Sequence, residues 1–544
     1  MPEKGRTYEQ IRADFKWRIP ERFNIARAIC DRHVGHDRLA VIAETASGAT
    51  TELTFEQLQN ASRRLANALA AHGIGPGDRI GILLPQCPEA VIAHLAAYRM
   101  GAIAMPLFTL FGPEALEYRL NDSGAHAVVS NADGIAKLLA LKAQLRADPI
   151  LISVDDPLDG HVLDWHALID AASPDHAMID TAADDPALIV YTSGTTGNPK
   201  GVLHAHRMLL GHLPGVEFPH EFFPQPGDRM WTPADWAWAG GLMDVLLPSL
   251  FYGVPVLAKR FAKFDPEEAF ALLARHSIRN SFMPPTALKL MRQVAAPKRH
   301  AYAMRSVASG GERLGDEMQE WGRETFGLTI NEFYGQTEAN LTVANLASLM
   351  PLKPGSMGRA LPGHTIEVVD DEGQPVPTGT TGTIAVKAPD PVMLLRYWNK
   401  PEATADKFRG GWLLTGDTGH RDEEGYFWFH GRNDDLIMSG GYRIGPTEIE
   451  DCLMHHPAIA MVAVVGVPDR VRGELVKAFI VPREDIEPDD ALRSEIQDFV
   501  KSRLSGHEYP RLIEFRDSLP MTITGKIRRK DLRDEAAGLT QAGA

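Results

Sequence analysis

The string "YTSGTTGNPKG", residues 191–201, lies between the apolar run "ALIV" (187–190) and the segment "VLHAHRMLLGHL" (202–213). Its small residues let backbone N–H groups come close to an anion, Thr192, Ser193, Thr195 and Thr196 add hydroxyls, and Lys200 ends the run with a cation. That combination suits the holding of phosphate. The P-loop of nucleoside triphosphatases is excluded by spacing, because it requires Gly, four residues and then Gly-Lys-Ser/Thr, whereas here Gly194 and Gly197 precede Lys200, which is followed by Gly201. A plain strand-to-helix turn is the bland alternative.

Five further strings follow: "SGGERL" (309–314), "YGQTE" (334–338), "LLTGDTG" (413–419), "GRNDDLIMSGGYRIGPTEIE" (431–450) and "PMTITGKIRR" (520–529). Together with the loop, and in this order, they resemble the signature motifs of the adenylate-forming enzymes: acyl-CoA synthetases, luciferases and the adenylation domains of peptide synthetases. The resemblance covers nearly the whole chain. It implies that Thr192, Ser193, Gly194, Thr195, Thr196, Gly197 and Lys200 wrap the β- and γ-phosphates of ATP. It also implies a nucleotide pocket built from Gly311, Glu312, Glu332, Phe333, Tyr334, Gly335, Gln336 and Thr337. In that pocket Tyr334 would stack on adenine, Thr337 touch the α-phosphate and Glu338 hold Mg²⁺. Asp417 would accept from the ribose hydroxyls, Arg432 would touch ribose or phosphate, and Arg443 would sit near the phosphates. Lys526 would be the mobile catalytic lysine, acting with Thr196 and Glu338, and Asp434 the hinge.

Those roles make chemical sense as a set. Attack of a carboxylate on the α-phosphate of ATP places negative charge on phosphorus and on departing pyrophosphate, so cations must meet it there. No base is needed, since the acid is ionised at neutral pH. Within the family, "SGGYRIGPTEIE", "VPDRVRGELVKAF" and "EYPRLIEF" look most like the medium-chain acyl-CoA synthetases. That likeness points to Gly441, Arg472, Lys501, Tyr509 and Arg511 as contacts for CoA, the second co-substrate. The acid pocket would be lined by Trp236, Trp238, Gly240, Met283, Ser309, Gly310 and Gly335, although Trp236 and Trp238 also read as ordinary core aromatics. Acetyl-CoA synthetases carry Trp immediately before "QTE"; Gly335 in its place implies a medium-chain, branched or aromatic acid. The "PMTITGK" segment has the form that marks acylation in relatives, which adds a lysine acetyltransferase and deacetylase acting on Lys526 as expected partners. Competing readings are a luciferase-like oxygenase working through an acyl-adenylate and a silent binding protein that keeps the fold.

The elements that must position these residues follow from pattern. From about residue 52 helical and strand periodicities alternate: "TFEQLQNASRRLANALAAHG" then "DRIGILLP", "PEAVIAHLAAYRMG" then "AIAMPLF". A second such stretch runs from "PALIVYTSG" to "LTINEFYGQTE". After Pro351 short strands between turn residues suggest a small barrel or sandwich, and a compact α/β unit follows "GRNDDLIMSGG". The expected fold class is α/β: a large N-terminal domain of layered α/β subdomains plus a small β-barrel-like subdomain (1–432), hinged to a small α/β C-terminal domain (433–544). A chain of 544 residues is too long for one core. Its net charge of −15 argues against a general nucleic-acid binder. Its longest apolar stretch, "VLLPSLFYGVPVLA" (245–258), is short for a membrane span and contains two prolines. Three scattered cysteines, Cys30, Cys87 and Cys452, fit neither a disulfide framework nor zinc, and a charged start without an apolar core points to the cytoplasm.

Overall fold

The computed structural model describes residues 5–157, 159–192, 198–432, 435–439, 442–470, 472–483, 486–504, 509–522 and 526–538. Two compact units emerge: Met1–Ile366 with Val386–Leu413, and Glu367–Ala385 with Leu414–Ala544. The expected boundary at 432/433 falls inside the second unit, at the end of the strand Tyr426–Arg432.

In the first unit the alternating patterns become strand–helix–strand crossovers. Thr54 opens the helix Phe55–Ala71 with a capping box, its side chain accepting from Gln57 N while the Gln57 side chain accepts from Thr54 N. Phe55, Leu58, Leu65 and Leu69 recur at helical spacing and are buried on one face. The strand Arg79–Leu83 lies parallel to Ile103–Pro106, with the helix Pro88–Arg99 between them in sequence. Their sheet runs Arg396–Tyr397, Lys200–Ala205, Pro186–Thr192, Ile103–Pro106, Arg79–Leu83, Ala127–Ser130, Ile150–Ser153, Leu163–Asp164.

A second sheet has a parallel core of Leu39–Glu44, Val256–Lys259, Met230–Trp231, Asn280–Phe282, Ser306–Gly310 and Ile330–Gln336. Its last strand turns back through Thr337 and Glu338 into Ala339–Ala344, antiparallel. In open parallel sheets ligands collect outside the carboxyl ends of the strands. "SGG", "YGQ", Met283 and the segment 234–241 all sit at such ends.

The strands Ile366–Val369, Gly382–Lys387, Trp412–Arg421 and Tyr426–Arg432, adjacent in that order, fall for the most part in the second unit. It also holds a sheet of Tyr442–Ile444, Ile437–Ser439, Gly473–Pro482 and Ile459–Asp469, with Leu512–Phe515 alongside Gly473–Pro482. Alternation along "IAMVAVVGVPD" explains how this sheet is covered on both faces. Val462 and Val464 pack with Ile449, Leu453, Ile496 and Val500 of the helices Pro446–Met454 and Asp490–Lys501. Ala463, Val465 and Val467 face the other way, onto Leu532 of the helix Arg529–Ala536. Among the described residues no helix is long and apolar enough to cross a membrane.

Candidate functional site

The ends of the glycine-rich loop are held side by side. Thr192 closes the strand Pro186–Thr192 and Lys200 opens Lys200–Ala205, the two being register partners, with Thr192 Oγ1 donating to Lys200 O at 3.4 Å. Ser193, Gly194, Thr195, Thr196 and Gly197 lie outside the described residues. The segment 393–398 braces this strand pair: Leu395 N donates to Leu203 O and Trp398 N to Gly201 O, each at 2.7 Å. Gly201 suits the close packing there, since a Cβ would stand 3.0 Å from Ile189 Cγ2, 3.1 Å from Tyr191 Cζ and 3.3 Å from Trp398 Cβ, and these side chains would have to give slightly. Asp122 ties the same strands down, accepting from the Tyr191 hydroxyl at 2.7 Å and, through its carbonyl, from Trp398 Nε1 at 3.1 Å.

From this bracing segment Tyr397 joins two expected site residues that are far apart in sequence. Its hydroxyl donates to Glu338 Oε1 at 2.5 Å, and Lys200 Nζ stands 5.1 Å from its ring centroid. The backbone follows suit, with Leu394 N donating to Glu338 O at 2.9 Å. Thr337 and Glu338 occupy the tip of the hairpin, between the register partners Gln336 and Ala339. Gly335 sits where that hairpin is tightest, since a Cβ there would lie 2.6 Å from Asn340 Oδ1 and 3.0 Å from Asn340 Cα.

Glu332 and Phe333 precede Tyr334 on the same strand, paired in register with Ser309 and Gly310. Burial pushes the Glu332 carboxyl up to about 7, against the opposing hydrogen bond from Leu314 N at 2.9 Å. Gly311 follows the "SG" strand end at φ +90°, the left-handed region that glycine enters freely, and Glu312 comes next.

Several of the expected acid-pocket residues pack near one another. Ser309 Oγ donates to Met283 O at 2.8 Å, and Phe333 packs so closely on Gly310 that a Cβ would fall 2.4 Å from Phe333 Cε2. Trp238, Phe282 and Phe333 form a chain of rings, with centroids 5.5 and 5.1 Å apart. Gly240 admits Phe282, whose Cε1 would be 2.7 Å from a Cβ there. Trp236 is buried, and among the described residues its indole N–H has no partner. Asp235 shapes this turn by accepting from Ala237 N at 2.8 Å, while burial pushes its carboxyl up to about 6.

In the second unit Asp417 and Arg432 are register partners on adjacent strands, and Asp417 is buried. Asp417 N donates to Thr415 Oγ1 at 3.1 Å, and that hydroxyl donates to Ile384 O at 2.6 Å. Asp434 and Gly441 lie outside the described residues, and Arg443 is placed as the register partner of Met438. Lys526 closes a small loop: its N–H donates to Thr522 Oγ1 at 2.9 Å and its carbonyl accepts from Thr522 N at 2.6 Å. The helix after it is pinned by Arg529, bidentate on Glu450 at 3.0 and 2.6 Å, and by Arg533 on Asp435 at 2.8 Å. Lys501, Tyr509 and Arg511 gather into one cluster, with Arg511 Nη1 donating to the Tyr509 hydroxyl at 2.7 Å and Lys501 Nζ 4.6 Å from its ring centroid. Arg472 is exposed on a turn that Asp469 caps at 2.8 Å.

Residues 30–398 match the family model described as AMP-binding enzyme, and residues 448–526 match the AMP-binding enzyme C-terminal domain. The chain belongs to the AMP-binding enzymes. This AMP-binding enzyme is 34% identical to "Acetyl-coenzyme A synthetase" of Bacillus subtilis (strain 168), over 97% of this chain and 95% of that one. It is 34% identical to "Acyl-coenzyme A synthetase ACSM3, mitochondrial" of Rattus norvegicus, over 98% and 94%. The crystal structure of a benzoate CoA ligase from Burkholderia xenovorans LB400 superposes with a TM-score of 0.84 at 29% identity, covering 94% of this chain and 100% of that one. The fold is therefore that of the adenylate-forming enzymes, and the chain is an AMP-forming acid–CoA ligase, with ATP and CoA as the co-substrates consistent with that family. The luciferase-like reading is not favoured.

Several residues of this site carry no motif. Tyr397, Phe282, Asp122 and Asn340 reach it through the fold alone, and the only local sign of Tyr397 is the aromatic pair "YW" in an otherwise unremarked loop.

Proposed function

We propose that this ligase activates a carboxylic acid larger than acetate, of medium-chain, branched or aromatic type, and passes the acyl group to CoA. In the first step a carboxylate oxygen bonds to the α-phosphorus of ATP and the bond to pyrophosphate breaks. In the second the CoA thiol bonds to the acyl carbon and AMP leaves. Gly335, held against Asn340 with no room for a Cβ, carries the size assignment, because no side chain at that position can close the acid pocket. The identity to a relative named for acetyl-CoA is no greater than that to one named for acyl-CoA, so identity does not select between small and large acids.

The glycine-rich loop with Lys200 holds the leaving phosphates in this reading, Asp417 and Arg432 take the ribose, and Lys526 meets the carboxylate and α-phosphate. Lys501, Tyr509 and Arg511 offer two cations and a ring to the phosphates and adenine of CoA. The residues fit Mg²⁺ arriving with the nucleotide. Among the described residues no three His, Cys, Asp or Glu side chains gather into a metal cage, and magnesium beside a nucleotide is ordinarily held by one or two carboxylates plus phosphate oxygens. Glu338, fixed through one oxygen by Tyr397, supplies such a carboxylate. When bound, the ion neutralises charge on the phosphate oxygens. Acetylation of Lys526 would remove its charge and switch the first step off.

A panel of carboxylic acids assayed for pyrophosphate release, with and without CoA, tests the reading. Release with six- to ten-carbon or aromatic acids, and thioester only with CoA, is expected. Turnover confined to acetate would overturn the size assignment.

A further inference from the structure

Asp244 is a buried carboxyl of the first unit, and among the described residues it forms no ion pair. It lies in the helical segment Leu242–Leu246, four residues after Gly240, and so on the face that Gly240 presents to Phe282 and Trp238. Its side chain is 3% exposed. Asn340 Nδ2 donates to Asp244 Oδ1 at 2.6 Å, and among the described residues this is the carboxyl's hydrogen bond to protein; the second oxygen has none. Asn340 is also the residue against which Gly335 packs. The pair thus joins the two glycines that bound the acid pocket from opposite elements, a helix and a hairpin.

A buried carboxyl with one oxygen unmatched costs stability that a leucine would not. Bracing the hairpin needs only the oxygen that meets Asn340. The other is left over on the helix face that Gly240 turns toward Phe282 and Trp238, and is available to something that enters there. Burial, opposed only by the hydrogen bond from Asn340, raises its pKa well above the ordinary carboxylate range. That favours the protonated form, which can donate to an oxygen and is unsuited to a second anion.

Building on the acid-ligase reading, we propose that Asp244, set by Asn340, is the specificity-determining floor of the acid pocket and selects acids bearing a hydroxyl or carbonyl oxygen at the end remote from the reacting carboxylate. A pocket that hydrogen-bonds such an oxygen rejects the analogue lacking it, because the carboxyl is then left unmatched in the complex.

The test uses the full chain and matched acids: hexanoate, 6-hydroxyhexanoate, 5-oxohexanoate and 6-aminohexanoate, with benzoate and 4-hydroxybenzoate as a rigid pair. The readout is the ratio of kcat/KM, by pyrophosphate release, for the oxygenated over the plain member. In the parent we expect a ratio of roughly tenfold or more, the equivalent of one good hydrogen bond. Asp244→Asn, which keeps shape and hydrogen bonding, should retain a preference, whereas Asp244→Leu should bring the ratio to or below one, mainly through KM. A parent that favours the plain acids, or one that favours 6-aminohexanoate and so uses an ionised carboxylate, overturns the proposal. So does an Asp244→Leu variant that slows both members of a pair equally, which is what a bracing role alone would give. If Asp244→Leu fails to fold, the parent ratio and Asp244→Asn still decide. Absence of pyrophosphate release by the parent with every acid would instead defeat the acid-ligase reading itself.

Discussion

The Tyr397 hydroxyl donates to the Glu338 carboxylate at 2.5 Å across 59 residues of sequence. One consequence is that the orientation of the carboxylate proposed to face Mg²⁺ does not depend on the hairpin tip alone. Tyr397 is itself anchored through its register partner Val202, on the strand that Lys200 begins. The strand Lys200–Ala205 and the hairpin are therefore aligned by one buried ring.

If Tyr397 positions Glu338, then Tyr397→Phe removes a hydrogen bond to a charged acceptor, about 1.5–3 kcal/mol. Adenylation should slow by roughly 10- to 100-fold, with a higher magnesium requirement and an unchanged circular dichroism spectrum. Glu338→Gln should show the same shift in magnesium dependence. A Tyr397→Phe enzyme with the parent's rate and magnesium titration would remove the tyrosine from the site.

Gly335 is a packing requirement as well as an opening. Gly335→Ala places a methyl 2.6 Å from Asn340 Oδ1 and 3.0 Å from its Cα, so the hairpin must shift, at a cost of about 1–3 kcal/mol. A lowered Tm together with slower adenylation of every acid is expected. Larger residues there would confound pocket filling with hairpin displacement, so a changed acid preference at this position would not by itself report pocket depth. An unchanged Tm would show that the hairpin yields freely.

Glu332 adds a pH dependence. Its folded pKa is raised from 4.5 to about 7 by burial, so the folded protein holds a proton that the unfolded chain releases. Stability from this group is fully present below about pH 4.5 and falls as pH rises toward about 7. Glu332→Gln should flatten the decline between those limits in denaturant titrations. A decline of the same slope in the variant would assign it to other groups.

Local structure was legible where neighbours in sequence are neighbours in space. The alternation of helix and strand from about residue 52 was read from spacing, and the helix Phe55–Ala71 with its one buried face follows it. The motifs likewise named residues that the fold brings together: Ser309, Met283 and Gly310, or Lys501, Tyr509 and Arg511. What spacing cannot carry is a contact whose two ends obey different local rules. Tyr397 sits in a two-residue strand with no periodicity, and Asp244 hides in an apolar helix where a carboxylate reads as an anomaly. The pairing of Asp244 with Asn340 depends on a helix and a hairpin 96 residues apart.

Lys526 offers the sharpest separation of the two half-reactions. Its loop is closed by both hydrogen bonds to Thr522, and the helix that follows is fastened by Arg529 to Glu450, so truncating the side chain leaves these backbone supports in place. Lys526→Ala removes a cation aimed at charge that develops on phosphate, a loss of about 3–4 kcal/mol or ~10²–10³ in rate by analogy with one preorganised donor. Adenylation should collapse accordingly. Supplied with a ready-made acyl-adenylate, the same variant should still transfer the acyl group to CoA at near the parent's rate, because no pyrophosphate leaves in that step and the thiolester forms at carbon. Arg511→Ala should do the reverse, slowing thioester formation by weakening CoA while leaving pyrophosphate release intact. Measuring pyrophosphate release and thioester formation separately for both variants checks the assignment. Equal slowing of the two steps in Lys526→Ala would mean that the lysine acts throughout, and the division of labour between the two clusters would have to be given up.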